Sequence, residues 1–239
     1  GTELLFETYA SDFDPEQCHS MQSITKSVMN LIFGRLVEDG SIDLNQKVKD
    51  YIPEIGSGYA EATIQQVLDM DVVNNFDENY DASYEHDPRE AAPVGYNREE
   101  IALGWRLPPE GERQFSSREF ATSLFSNNVI NPDGYTEYRS PNTDVLGWVA
   151  EKVTGRAPIE LLIEVIEAAG IEGAYHIGLD CDGVPQFAGG GCMSARDMAR
   201  YGLLFARNGQ GVNGVNVGSA RFIQETRNGR GTKGVQNRY

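Results

Sequence analysis

Apolar residues at Ile24, Val28, Leu31, Ile32, Leu36 and Val37 recur at three- and four-residue intervals and fall on one face of a helix from Ser23 to about Asp39. Gly40 follows, suited to the left-handed position that closes a helix. Upstream, ELLFETY at residues 3–9 reads as a strand ended by the polar turn ASDFDPEQ. Downstream, SIDLNQKVKDYIPEI reads as extended and stopped by proline, and Thr63 with Gln66 makes a capping box for a helix over TIQQVLDM. Ser116 and Glu119 repeat that device for SREFATSLFS. In YRSPNTDVLGWVAEKVTG, Ser140 takes the N-cap, Pro141 the first helical position and Gly155 the terminator. APIELLIEVIEAAG is a further short helix, AYHIGLD a weak strand, and DGVPQFAGGG a turn. Ser194 and Asp197 cap a helix through about Arg207, and the segment from Asn208 reads as turns.

Between these elements, residues 71–115 are acidic, aromatic and proline-bearing, with little periodicity. A connection that long inside a compact domain is usually functional or disordered. Its tyrosines and Trp105 argue for a wrapped surface layer that walls a cleft. The pattern is helix-rich, with few candidate strands and no internal repeat. At 239 residues and 40% hydrophobic, the chain can bury the core of one sizeable domain.

Charge and cysteine content narrow the function classes. Twenty Lys and Arg against 36 Asp and Glu leave a net charge of −16, which disfavours nucleic acid or an anionic membrane as partner. No apolar run reaches the roughly 18 residues that span a bilayer. No basic segment followed by an apolar stretch opens the chain, so a signal peptide is absent or already removed. Cys18, Cys181 and Cys192 are odd in number and scattered, which argues against a disulfide framework and tilts a soluble protein towards the cytoplasm. His19, His86 and His176 form no metal-ligand spacing with each other or with cysteine, so no metal or other cofactor is expected.

Ser23 and Lys26 stand three positions apart at the start of the first helix. One turn brings the amine within reach of the hydroxyl, and the helix N-terminus favours the oxyanion formed on attack. Such a pair works as nucleophile and base when its surroundings keep the amine neutral part of the time. A capping serine beside an exposed lysine has the same spacing. Tyr138, in EYRSPN at a helix entrance, can aim its phenol into a cleft and shuttle a proton there, or simply lie half-buried.

Taken with their flanks, these segments resemble the serine β-lactamase and penicillin-binding superfamily. MQSITKSVMNLIFGRLVEDGSIDLNQKVKDYIPEI, ATIQQVLDM, FDENY, YRSPNTDVLGWVAEKVTG and GGGCMSARDMARYG follow in the order shown by its class C β-lactamase-like branch. FDENY and YRSPNTDVLGW fit best the subgroup of 6-aminohexanoate-dimer (nylon-oligomer) hydrolases and related esterases. The resemblance runs from about Leu5 to Gly209. It implies that Ser23 is acylated, that Lys26 is its base, and that Tyr138 is the tyrosine of a Tyr-x-Asn motif. Ser140 stands at that motif's third position, as in the esterase-like branch, which weakens a claim to β-lactamase activity. Tyr80 of FDENY matches a tyrosine near the substrate, while DVVNN after the TIQQVLDM helix departs from the family's pattern.

The superfamily's third motif, Lys-Thr-Gly or His-x-Gly on a strand beside the serine, has no clear counterpart. GTKG at 231–234 scrambles the order and follows Tyr138 too closely. The run Gly189 to Gly191 lacks the Gly-Lys-Ser/Thr of a phosphate loop and reads as a turn. The expected fold is therefore α+β and β-lactamase/transpeptidase-like: one domain over residues 1–239, mainly the helical lobe, incomplete at both ends and with most of the central antiparallel sheet missing. The expected function is acyl-enzyme hydrolysis of a small-molecule amide or ester. The competing expectation is a non-catalytic ligand-binding or inactive relative lacking the third motif. The encoding reading frame separates the two: continuation into a strand bearing Lys-Thr-Gly or His-x-Gly favours the enzyme, and a stop at Tyr239 favours the binder.

Overall fold

The computed structural model describes residues 3–78, 80, 94–132 and 134–229. In chain order the elements are strand β1 (Cys18–Ser20), a 3₁₀ turn (Gln22–Ser27), and helices α1 (Val28–Glu38), α2 (Val48–Tyr51) and α3 (Ile64–Leu68). Strands β2 (Phe76–Asp77) and β3 (Val94–Gly95) come next, with α4 (Tyr96–Ala102), α5 (Ser117–Ser123), α6 (Pro141–Thr154) and α7 (Pro158–Ala169). Strands β4 (His176–Ile177) and β5 (Gly191–Ser194), then α8 (Ala195–Ala206) and α9 (Ala220–Arg227), complete the described elements.

Helix α1 is the hub. Val28, Leu31, Ile32, Phe33 and Leu36 are buried along it, and it packs against α6, α7 and α9. Helix α6 answers with Val145, Leu146, Trp148, Val149 and Ala150, all buried. Burying large apolar side chains on both helices stabilises the pair by roughly 1.5–3 kcal/mol per side chain. A small antiparallel sheet of order β1-β5-β4 lies beside the 3₁₀ turn, and β2 and β3 form a separate parallel pair. The α+β class expected for the helical lobe is the class observed, and the described sheet is small.

Local capping was legible in the sequence. Thr63 and Gln66 form the expected box on α3, Ser116 and Glu119 that on α5, and the Ser194 hydroxyl accepts from the Asp197 N–H on α8. Gly40 and Gly155 take the left-handed conformation assigned to them.

Other expectations need correction. ELLFETY forms no strand: Leu5 is 89% exposed, and β1 instead occupies Cys18–Ser20, paired with β5. The helix expected from Ser23 splits into a 3₁₀ turn and α1, leaving Ile24 53% exposed rather than on the buried face. The segment read as extended before Pro53 contains the one-turn helix α2. Within 71–115 the described residues include α4, whose Tyr96-Asn97-Arg98-Glu99-Glu100 start hid its helical character in charge. Helix α9 lies where turns were expected, and strand β5 starts on Gly191, the last residue of the expected turn DGVPQFAGGG. GTKG at 231–234 and His86 lie outside the described residues.

The segment between α2 and α3 meets the end of α5 across Gly56 and Gly58. A Cβ on Gly56 would press into the carbonyl oxygens of Thr122 and Leu124, backbone that cannot swing aside. Gly56→Ala is expected to destabilise the fold by about 2–3 kcal/mol, the upper part of the range for overpacking a close contact, read as a lower urea midpoint at unchanged m-value.

Candidate active site

The 3₁₀ turn has three residues per turn, so side chains three apart stand one above the other. Ser23 and Lys26 therefore lie on one edge, and the Lys26 amine donates to Ser23 Oγ at 3.0 Å. Gln22 precedes the serine with a positive φ of 46°, a conformation that non-glycine residues adopt rarely and that concentrates at functional sites. The turn is fixed from behind. Gly191 N–H donates to the buried Thr25 hydroxyl at 3.1 Å, and Met21 N–H donates to the Gly191 carbonyl at 2.8 Å. A Cβ on Gly191 would lie 2.6 Å from the Tyr175 hydroxyl and 2.8 Å from the Thr25 hydroxyl, so only glycine lets β5 come this close.

Two further segments converge on the amine. At the entrance to α6, Tyr138 donates to Ser23 Oγ at 2.6 Å, and its ring centroid is 5.0 Å from the Lys26 nitrogen. Ser140 Oγ accepts from Lys26 at 2.9 Å. From the loop before β5, the Ala188 carbonyl accepts the remaining amine contact. Ser140 makes no side-chain cap on α6, which corrects that expectation. Its hydroxyl donates to Glu78 Oε1 at 2.7 Å, and its backbone N–H donates to Glu78 Oε2. Tyr80 OH also donates to Glu78 Oε1, at 2.5 Å, and its ring meets Tyr96 edge-on at 4.8 Å.

The five residues singled out in the sequence thus form one group: Ser23, Lys26, Tyr138 and Ser140 in direct contact, and Tyr80 joined through Glu78. Gln22, Ser23, Tyr80, Tyr96, Glu99, Leu103, Trp105, Ser140 and Ala188 line a cavity of about 320 Å³. Trp105 Nε1–H donates to Gln186 Oε1 at 2.7 Å, tying this wall to the loop that carries Ala188. A larger cavity of about 440 Å³ is lined by Lys26 but not by Ser23. Glu78, Glu99, Tyr96 and Ala188 were missed in the sequence. Glu78 was the one within reach, because it sits in the FDENY stretch that drew attention to Tyr80.

Glu99 is 1% exposed, and neither carboxyl oxygen has a hydrogen-bond partner among the described residues. Burial, reinforced by the charges of Glu78 and Asp144, pushes its carboxyl well above the usual carboxylate range, and Lys26 offsets only part of that. Burial likewise pushes Asp144 on α6 up to about 7, against the pull of Lys26 and of backbone N–H groups at Ala188 and Phe187.

The chain resembles known proteins in both sequence and fold. The family model described as Beta-lactamase matches residues 2–239. A 6-aminohexanoate-dimer hydrolase of Paenarthrobacter ureafaciens is 32% identical over 216 residues, covering 90% of this chain and 52% of that protein. Among solved structures, a Bacillus anthracis protein provisionally named 6-aminohexanoate-dimer hydrolase superposes with a TM-score of 0.74 at 25% identity, over 93% of this chain and 56% of that one. A penicillin-binding protein homologue of Pyrococcus abyssi, described as octameric, shares the fold with a TM-score of 0.59 at 20% identity, over 88% of this chain and 48% of its own. The chain spans about half the length of these relatives.

The unpartnered Glu99 carboxyl generates a prediction about stability. In the unfolded chain a glutamate ionises near 4.5; in the fold Glu99 keeps its proton well above that. Between those two pH values the folded form holds the extra proton, so this group's contribution falls as pH rises through the window. Glu99→Gln is expected to raise the thermal midpoint at pH 8, with the gap over wild type closing towards pH 4, as followed by circular dichroism.

Proposed function

The chain belongs to the beta-lactamase family, and from that premise we propose that it is a serine hydrolase acting through an acyl-enzyme on short amides or esters. The observation that carries this reading is a single hydroxyl, Ser23, reached by an amine at 3.0 Å and a phenol at 2.6 Å at the mouth of a cavity.

The hydrogen bonds around the amine support a role for it as the base. A neutral amine has two N–H donors and one lone pair. The Ala188 carbonyl can only accept, so one donor goes there. Ser140 has committed its own hydrogen to Glu78, so its oxygen takes the second donor. The lone pair is left facing Ser23, whose hydroxyl then donates to it. Attack of Ser23 Oγ on a substrate carbonyl carbon passes the hydroxyl proton to Lys26. Collapse of the tetrahedral adduct breaks the bond to the leaving nitrogen or oxygen, which takes a proton from Tyr138. Water, deprotonated by the same groups, then attacks the acyl carbon and restores the Ser23 hydroxyl.

The Ser23 backbone N–H is assigned as one oxyanion donor. The resemblance puts a second donor on a strand beside the serine. The relative from Paenarthrobacter ureafaciens is named for the 6-aminohexanoate dimer, a short linear amide, and a substrate of that chemistry fits the proposed step. The Glu78 carboxylate, bonded to the cavity residues Tyr80 and Ser140, disfavours a negatively charged substrate group beside it.

Exposure to a fluorophosphonate probe or a p-nitrophenyl ester tests the reading. Wild type is expected to be labelled and to release p-nitrophenol, and Ser23→Ala to do neither; labelling that survives the substitution overturns it. Glu78→Gln tests the orientation of the amine. The amide would offer Ser140 an N–H, freeing the Ser140 hydrogen to point at Lys26 and misdirect the lone pair. Ester turnover is expected to fall on the order of 100-fold in kcat. An unchanged kcat would remove Glu78 from the orienting chain.

A further inference from the structure

Of the three contacts made by the Lys26 amine, two were accounted for above by their own chemistry: Ser23 as the reacting group and Ser140 as oriented by Glu78. The third partner is a backbone carbonyl, Ala188, in a loop. A loop carbonyl aims a donor only as well as the loop is held.

This loop is held from two sides. Gln186 is buried; its amide nitrogen donates to the carbonyls of Leu103 and Leu179, the latter at 3.1 Å, and its oxygen accepts from Trp105. On the other side stands α6. The Ala188 N–H donates to Asp144 Oδ1 at 3.1 Å, so the residue whose carbonyl takes the lysine proton offers its own N–H to a carboxylate. One turn further along α6, Gly147 leaves the space in which the Phe187 ring lies: a Cβ there would be 2.8 Å from that ring. Asp144 and Gly147 therefore dock the Phe187–Ala188 step onto the same helix whose entrance supplies Tyr138 and Ser140.

We infer that Asp144 is a positioning residue for the base: ionised, it clamps the Ala188 peptide and so fixes the direction of the Lys26 amine towards Ser23. This rests on the hydrolase reading and extends it. It also gives the charge a purpose. When Lys26 takes the serine proton an ammonium forms, and the Asp144 carboxylate lies close enough to exchange charge effects with it. Both functions need the carboxylate form, because a protonated Asp144 accepts the Ala188 N–H more weakly and carries no charge.

The titratable groups facing Asp144 come from three elements. Lys26 on the 3₁₀ turn draws it towards ionisation and Asp180, in the loop between β4 and β5, opposes it, while Glu99 on α4 is kept protonated by its own burial. Burial dominates and places the titration near 7. Ser23 acylation is therefore expected to weaken as pH falls through 7.

The test is the rate of Ser23 labelling by a fluorophosphonate, together with ester kcat and KM, from pH 5.5 to 9 for wild type, Asp144→Asn and Glu99→Gln. Far-UV circular dichroism and thermal unfolding serve as controls of folding. Asp144→Asn keeps an oxygen that can accept the Ala188 N–H, so its fold is expected to persist. Its kcat is expected to fall at least tenfold at pH 8 with KM within about twofold. The limb near pH 7 should be lost from its profile and kept in Glu99→Gln. A folded Asp144→Asn with wild-type kcat, or a limb that survives Asp144→Asn, overturns the inference and leaves the hydrolase reading intact. If Asp144→Asn does not fold, Gly147→Ala provides the decision. Pushing the Phe187–Ala188 step off α6 should lower the labelling rate without moving the limb, and an unchanged rate overturns the inference. Wild type that never labels at Ser23 overturns both.

Discussion

One nitrogen must meet three oxygens at once, and the described chain is arranged around that requirement. The Lys26 amine touches Ser23 on its own turn, Ser140 at the entrance of α6 and the Ala188 carbonyl before β5. These positions lie 114 and 162 residues from Lys26 for the last two contacts, so no local preference can bring them together. Only the packing of α6 on α1, and of β5 against the 3₁₀ turn, does so. A lysine anchored on three sides loses the rotamer freedom that a surface lysine keeps, at a cost of about 2 kcal/mol. The return is a lone pair that does not have to search for its target.

The polarity of the site follows from which partners can only accept. The Ala188 carbonyl and the Glu78 carboxylate have no hydrogens to give. One takes a lysine N–H, and the other takes the Ser140 hydroxyl hydrogen along with the backbone N–H of the same residue. Direction therefore propagates from Glu78 through Ser140 to Lys26. Serine at this position does what a capping serine cannot: its hydroxyl is spent on the site, and α6 starts instead on Pro141, which needs no N–H partner.

Legibility in the sequence tracked the range of the interaction. Thr63, Ser116 and Ser194 cap helices through residues three positions on, and a window of four letters contains everything needed to see that. The Ser23-x-x-Lys26 contact is equally local, although its 3₁₀ form was hidden because the apolar run of α1 begins within it. Strand β5 could not be seen. Gly191-Cys192-Met193-Ser194 is four residues long and is a strand because β1 and β4 pair with it on either side, with Met21 and Thr25 bonded to Gly191 at its start. ELLFETY failed in the opposite way: its composition suits a strand, but no described strand pairs with it, and an unpaired row of backbone donors and acceptors gains nothing from being extended. Glu99 was invisible as a buried group because nothing in Arg-Glu-Glu-Ile says which glutamate turns inward.

Buried acid around a lysine base works against itself, and the geometry shows how the conflict is settled. A nearby carboxylate stabilises the ammonium, which helps at the instant of proton transfer but blunts a lysine that must begin neutral. Three ionised carboxylates at Glu78, Glu99 and Asp144 would hold the amine as ammonium. Burial reduces that charge by keeping Glu99 protonated well above the usual carboxylate range and by bringing Asp144 to a titration near 7. Glu78 is satisfied differently, by the hydroxyl of Tyr80 and by the N–H and hydroxyl of Ser140. The charge these acids exert on Lys26 is thus set by their depth and their hydrogen-bond partners rather than by their number. A sequence in which the same carboxylates lay at the surface would have the same residues and a different base.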